Sequence, residues 1–95
     1  MSEYDVALIE ELLRNYYSLS DMGESDMFVD LSKALSTLWV ENNNLYNTIM
    51  AVLVFGKPIQ SVALDQSIST RQVNRRLHDA LYALAIIMNG ESFES

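Results

Sequence analysis

The chain has no cysteine, one proline, three glycines and a single histidine among its 95 residues. Without cysteine there are no disulfides and no thiolate metal sites, and a reducing cytoplasm is the expected compartment. His78 is the one histidine, and no second His or Cys exists to complete a metal or catalytic site with it, so no cofactor is expected. A Gly-rich phosphate loop is missing too, and the adjacent carboxylates Glu10 and Glu11 would point to different faces of a helix. The expectation is a protein that binds rather than catalyses. "DMGESD" at 21–26 has the acids of a calcium loop without its Gly-then-Glu spacing, and reads as a capped surface loop. Long apolar runs are absent as well. "IMAVLVF" (49–55) and "ALAIIM" (83–88) fall far short of the roughly 20 residues a membrane helix needs, and no basic-then-apolar segment opens the sequence. A soluble protein that does not engage membranes is expected.

What is present is ordinary globular material, 49% hydrophobic and 20% charged, at a length that suits one hydrophobic core. With little Gly or Pro to make turns, that core is expected to be all-α: a single-domain bundle of about five helices. From Ser2, with Asp5 at capping-box spacing, Val6, Ile9, Leu12, Leu13, Tyr16 and Tyr17 recur at three- and four-residue intervals and predict one helix. A loop through "SDMGESD" ends at an N-cap, Ser25 or Asp26. Phe28, Leu31, Leu35, Leu38 and Trp39 mark a second helix, and the Tyr16–Tyr17 pair and Trp39 are read as core. "ENNN" (41–44) interrupts the pattern. Residues 45–55 could be helix or buried strand by periodicity; helix is preferred because no other segment offers a strand to pair with. Gly56-Lys57-Pro58 closes that helix and opens a short one over 58–66, with Pro58 at its first position. After the turn "SIS", Ser69 caps a last long helix that ends at Asn89-Gly90.

Charge divides the chain. Residues 1–50 carry nine acids against Arg14 and Lys33, for a net −7, whereas 57–88 carry Lys57, Arg71, Arg75 and Arg76 against Asp65 and Asp79, for a net +2. The expected organisation is an acidic N-terminal helical part (1–44), a C-terminal part with a distinct electrostatic role (45–90), and a flexible tail (91–95).

A short helix, a three-residue turn and a Ser-capped second helix make the helix-turn-helix layout, whose second helix enters the DNA major groove. At about 100° per residue, Val73, Leu77, Ala80 and Leu84 form one apolar stripe. Arg71, Arg75, His78 and Tyr82 then point the other way, with Gln72 nearby and Asn74 and Arg76 on opposite flanks. Arginine and glutamine can bond base edges in pairs, and the cations can neutralise phosphates. The expected contacts to double-stranded DNA are Lys57, Ser69, Thr70, Arg71, Gln72, Asn74, Arg75, Arg76 and His78. The plain alternative for the arginines is a solvated helix face.

"GKPIQSVALDQSISTRQVNRRLHDAL" resembles the helix-turn-helix with which bacterial sigma factors read the upstream promoter element. Val62-Ala63 match its apolar-Ala pair, Ile68-Ser69 its turn, and Val73, Arg76-Leu77-His78 and Ala80 its second helix. The C-terminal half is also similar to small plasmid and fimbrial-operon regulators of the KorA and PapB kind: "VLVFGKP", Ala63, Val73 and His78 fall in register with KorA, and "LVFG", Val62 and Leu81 with PapB. The resemblance implies a bacterial, plasmid or phage transcription regulator. The chain departs from it at Ser67, where Gly is usual, at Gln66, where an apolar residue is usual, and at Asp79 and Tyr82, where sigma-type helices are often basic.

Two further expectations concern partners. The end of the last helix has more apolar side chains than its own motif needs, so Tyr82, Ile86, Ile87 and Met88 are expected to join two copies as a homodimer. The acidic half either keeps DNA off the other faces or meets a basic partner, RNA polymerase or a second regulator. A protein-interaction module that modulates another DNA-binding protein is the alternative function.

Overall fold

The computed structural model describes residues 4–21 and 26–90. Among these residues there is no strand; six α-helices and one π-helical turn make up the fold. The expected all-α single-domain architecture is what the chain adopts.

Helix α1 (Val6–Arg14) begins one turn later than Ser2: Asp5 is itself the N-cap, its Oδ1 accepting from the Leu8 amide at 2.8 Å. Ser2 lies outside the described residues. The apolar stripe continues through Tyr16 and Tyr17, yet the helix breaks at Asn15, whose side-chain amide donates to the Glu11 carbonyl at 2.9 Å. A separate α2 (Tyr16–Asp21) follows. One expected helix is therefore two, because an asparagine side chain competes for a helix carbonyl and favours a cap over continuation.

Helix α3 (Asp26–Glu41) buries Leu31, Ala34, Leu35 and Leu38, the i, i+3, i+4, i+7 set of one face. Asp26 lies in its first turn, and Ser25 lies outside the described residues. Trp39, read as core, is 55% exposed: it stands 100° from Leu38 and falls off the buried stripe. Tyr17 is likewise exposed and rests against Phe55, ring centroids 6.4 Å apart. Asn42 both ends α3 and starts α4 (Asn43–Ile49). Its amide donates to the Leu38 carbonyl at 2.7 Å, and its Oδ1 accepts from Leu45 at 3.2 Å.

The expected helix over 45–55 forms through Val54, with Phe55 as its C-cap, but the last turn, Met50–Val54, is π-helical. Phe55 donates to the Met50 carbonyl at 2.9 Å, and Gly56, at φ +70°, lets Lys57 reach back to the Ala51 carbonyl. A side chain at that φ would be strained, so Gly suits the exit. Pro58 is the N-cap of α5 (Ile59–Gln66) rather than its first helical residue, with extended backbone that its ring allows. Helix α6 (Thr70–Asn89) closes on Gly90 at φ +64°, as its Asn-Gly ending indicates.

Twenty residues make α6 about 30 Å long, and it packs against α1, α3, α4 and α5. Ile9, Leu13, Leu31, Leu38, Ile49, Ala80 and Leu84 meet along it in the main core, which draws on both sides of residue 44. A smaller cluster of Val62, Ala63 and Val73, backed by Ile68, lies under the α5–α6 turn. Val52 and Leu77 touch both clusters, so the turn motif is welded to the bundle. No described helix is long and apolar enough to cross a membrane.

Candidate nucleic-acid interface

The joint between α5 and α6 is built by the backbone first. At the end of α5, the Ile68 amide donates to the Ala63 carbonyl at 3.0 Å and Ser67 to Leu64 at 3.2 Å, the paired bonds of a Schellman ending. Ser67 takes the left-handed conformation this ending requires, φ 58° and ψ 42°. That is why Gly is usual here; the serine adopts the same turn with its Cβ under strain. Ile68 then packs into the small cluster with Val62, Ala63 and Val73. Next, Ser69 and Gln72 cap each other: Ser69 Oγ accepts from the Gln72 amide at 3.1 Å, and Gln72 Oε1 accepts from the Ser69 amide at 3.3 Å.

Val73, Ala80 and Leu84 are buried and Leu77 is half-buried, so the apolar stripe of α6 faces the interior. Arg71, Arg75, His78 and Tyr82 follow one another at i+4, i+3 and i+4 on the outer side, and all four are exposed. The His78 and Tyr82 rings lie 4.6 Å apart. Among the described residues no carboxylate forms an ion pair with Arg71 or Arg75, so both guanidinium groups present their donors to solvent. Asn74 and Thr70 are exposed beside them.

The remaining expected contacts stand differently. Ser69 and Gln72 hold the cap, although the Gln72 amide nitrogen stays available as a donor. Lys57 lies 3.6 Å from Asp65, both well exposed, a pair worth about 0–1 kcal/mol in solvent. Arg76 is half-buried and donates from Nη1 to Gln66 Oε1 at 2.8 Å, away from the Arg71–Arg75 stripe. That bond belongs to a network among Thr48, Gln66 and Arg76 that no motif or spacing in the sequence marks.

Of the four expected dimer residues, Tyr82 and Ile86 are exposed, whereas Ile87 and Met88 pack against the main core. Tyr82, Ala85 and Ile86 form one wall of an open groove of about 520 Å³, and Tyr4, Val6 and Ala7 at the start of α1 form the other. Among the described residues, no group of three or more His, Asp or Glu side chains is placed to hold a metal ion. No family model, curated protein or solved structure matches the chain.

Proposed function

We propose that the chain is a sequence-specific DNA-binding transcription regulator, acting in the bacterial cytoplasm on a bacterial, plasmid or phage operon by binding rather than catalysis. The observation that carries this reading is the exposed, unpaired Arg71–Arg75 stripe on a helix whose opposite side is buried and whose start is fixed by a left-handed turn and a capping box. Guanidinium groups one helical turn apart suit base edges and the adjoining phosphates of a major groove. The acids of α1 and α3 disfavour other docking faces through repulsion from the phosphates.

A protomer with so few cations neutralises few phosphates, so affinity calls for two reading helices. The Tyr82–Ile86 groove is the surface we assign to a second copy. It continues the arginine stripe along the same side of α6, so a two-fold contact there would place two reading helices on one duplex. The observation that favours the second reading, a protein-interaction module for another regulator or RNA polymerase, is the exposure of Trp39 at 55% and Val40 at 75% on an otherwise acidic half.

Titration of a fluorescent random-sequence duplex with the purified protein at rising salt separates the two. DNA binding gives an affinity that falls linearly on a log–log plot, with a shallow slope per protomer. Absence of binding at low salt favours the protein-interaction reading.

A further inference from the structure

Thr48 is the one fully buried polar side chain among the described residues, at 0% exposure. It belongs to α4, yet its partner is at the end of α5: Thr48 Oγ1 lies 3.0 Å from Gln66 Oε1 and 2.8 Å from the Asn44 carbonyl. The same Gln66 oxygen accepts from Arg76 Nη1 of α6 at 2.8 Å. Arginine has donors only, so the atom that faces it must be the amide oxygen, which fixes the orientation of the Gln66 side chain. The single Thr48 proton is then shared between the Gln66 oxygen and the Asn44 carbonyl. One amide oxygen thus joins three helices at the joint on which the turn motif depends.

The network sits beside the reading face. Gln66 is the last residue of α5, next to the strained Ser67, and Arg76 follows Arg75 directly in α6. A turn of α6 about its axis would swing Arg71 and Arg75 out of line; it would also pull Arg76 from Gln66 and leave the half-buried guanidinium short of its acceptor, while the Gln66 oxygen keeps only Thr48. Apolar contacts alone resist such rotation less, because they have no preferred direction.

We infer that Arg76 is a positioning residue: held by Gln66, and through Gln66 by Thr48, it sets the direction in which α6 presents Arg71 and Arg75, and it makes no phosphate contact of its own. The lock stands on the geometry; its consequence for recognition rests on the DNA-binding reading above.

Two experiments keep those levels apart. In a denaturant double-mutant cycle, Gln66→Leu and Arg76→Ala each lower the folding equilibrium constant by about tenfold or more, and the double variant is scarcely worse than Gln66→Leu alone, since the Arg76–Gln66 bond can be lost only once. Strictly additive losses would mean that the two side chains do not act together, and would overturn the lock without any reference to DNA. For the second, salt titrations use the duplex selected by the parent protein. Arg71→Ala and Arg75→Ala each reduce the log–log slope by up to about one phosphate contact. Arg76→Ala weakens binding with the slope unchanged. Gln66→Leu, which removes no cation, weakens it by a similar factor, and Gln66→Glu, which keeps an acceptor for Arg76, restores it. A slope for Arg76→Ala reduced like that of Arg71→Ala, or parent affinity in Gln66→Leu, refutes the positioning role. If selection yields no duplex, the DNA reading falls and the role in recognition falls with it, while the cycle still decides whether the lock exists.

Discussion

Asn89, at the end of α6, grips the backbone of Tyr4 in both directions: its Nδ2 donates to the Tyr4 carbonyl at 2.8 Å, and its Oδ1 accepts from the Tyr4 amide at 3.0 Å. Tyr4 then hands the tie on to α3, its hydroxyl donating to Asp30 Oδ2 at 2.9 Å. Residues 85 apart in sequence are joined so that the ends of the described fold lock together. Asn89→Ala removes both bonds and is expected to cost about 1–3 kcal/mol of stability, measured by urea unfolding. Asn89→Asp keeps the acceptor but sets a carboxylate oxygen against the Tyr4 and Ala85 carbonyls, and is expected to be at least as destabilising as the alanine variant.

Ser67 holds a positive φ that glycine adopts without strain. Ser67→Gly is expected to raise stability by about 0.5–1 kcal/mol, the relief of left-handed strain less the extra freedom gained by the unfolded chain. Ser67→Val is expected to destabilise. Thermal unfolding of the two variants beside the parent gives opposite shifts in Tm.

At the start of α6 the capping box can be tested apart from the proposed DNA contacts. Ser69→Ala is expected to cost about 1 kcal/mol of stability. Gln72→Ala removes the reciprocal bond and costs less. If Gln72 serves only the cap, the DNA sequence preference of Gln72→Ala matches that of the parent; an altered preference at one base pair would show that its free amide nitrogen reads DNA.

The proposed dimer surface makes a prediction that distinguishes neighbours on one helix. Ile86 faces the groove and is half-exposed in the protomer, so Ile86→Lys is expected to keep native circular dichroism and to sediment as a monomer at micromolar concentration where the parent is a dimer. Ile87 packs inward, and Ile87→Lys is expected to unfold the chain instead. A parent that sediments as a monomer contradicts the two-fold assembly.

Much of this fold was legible in the sequence. Ser69 and Gly90 bracket α6 where capping chemistry put them, the α5–turn–α6 layout follows from Pro58, "SIS" and one apolar stripe, and the outward set Arg71, Arg75 and His78 came from the 100° step alone. The misses have local causes. Tyr16 and Tyr17 continue an apolar pattern, so periodicity is blind to the Asn15 side chain that ends α1. Met50–Val54 is apolar on every side, and one extra residue per turn leaves no mark on such a run. Trp39 looked like core by type and lies outside by angle. Gln66, Thr48 and Arg76 are 18 and 10 residues apart, and only the packing of three helices shows that they share an oxygen.

The central claim, that the Arg71–Arg75 stripe of α6 reads DNA, is tested most directly by selection from a random duplex library with the purified parent, followed by titration of the enriched duplex with the Arg71→Ala/Arg75→Ala double variant. The account predicts one enriched motif and a loss in the double variant of about 2–6 kcal/mol, at about 1–3 for each bidentate contact, with native helical content retained. No enrichment, or an enriched duplex that the folded double variant binds as tightly as the parent, would contradict it.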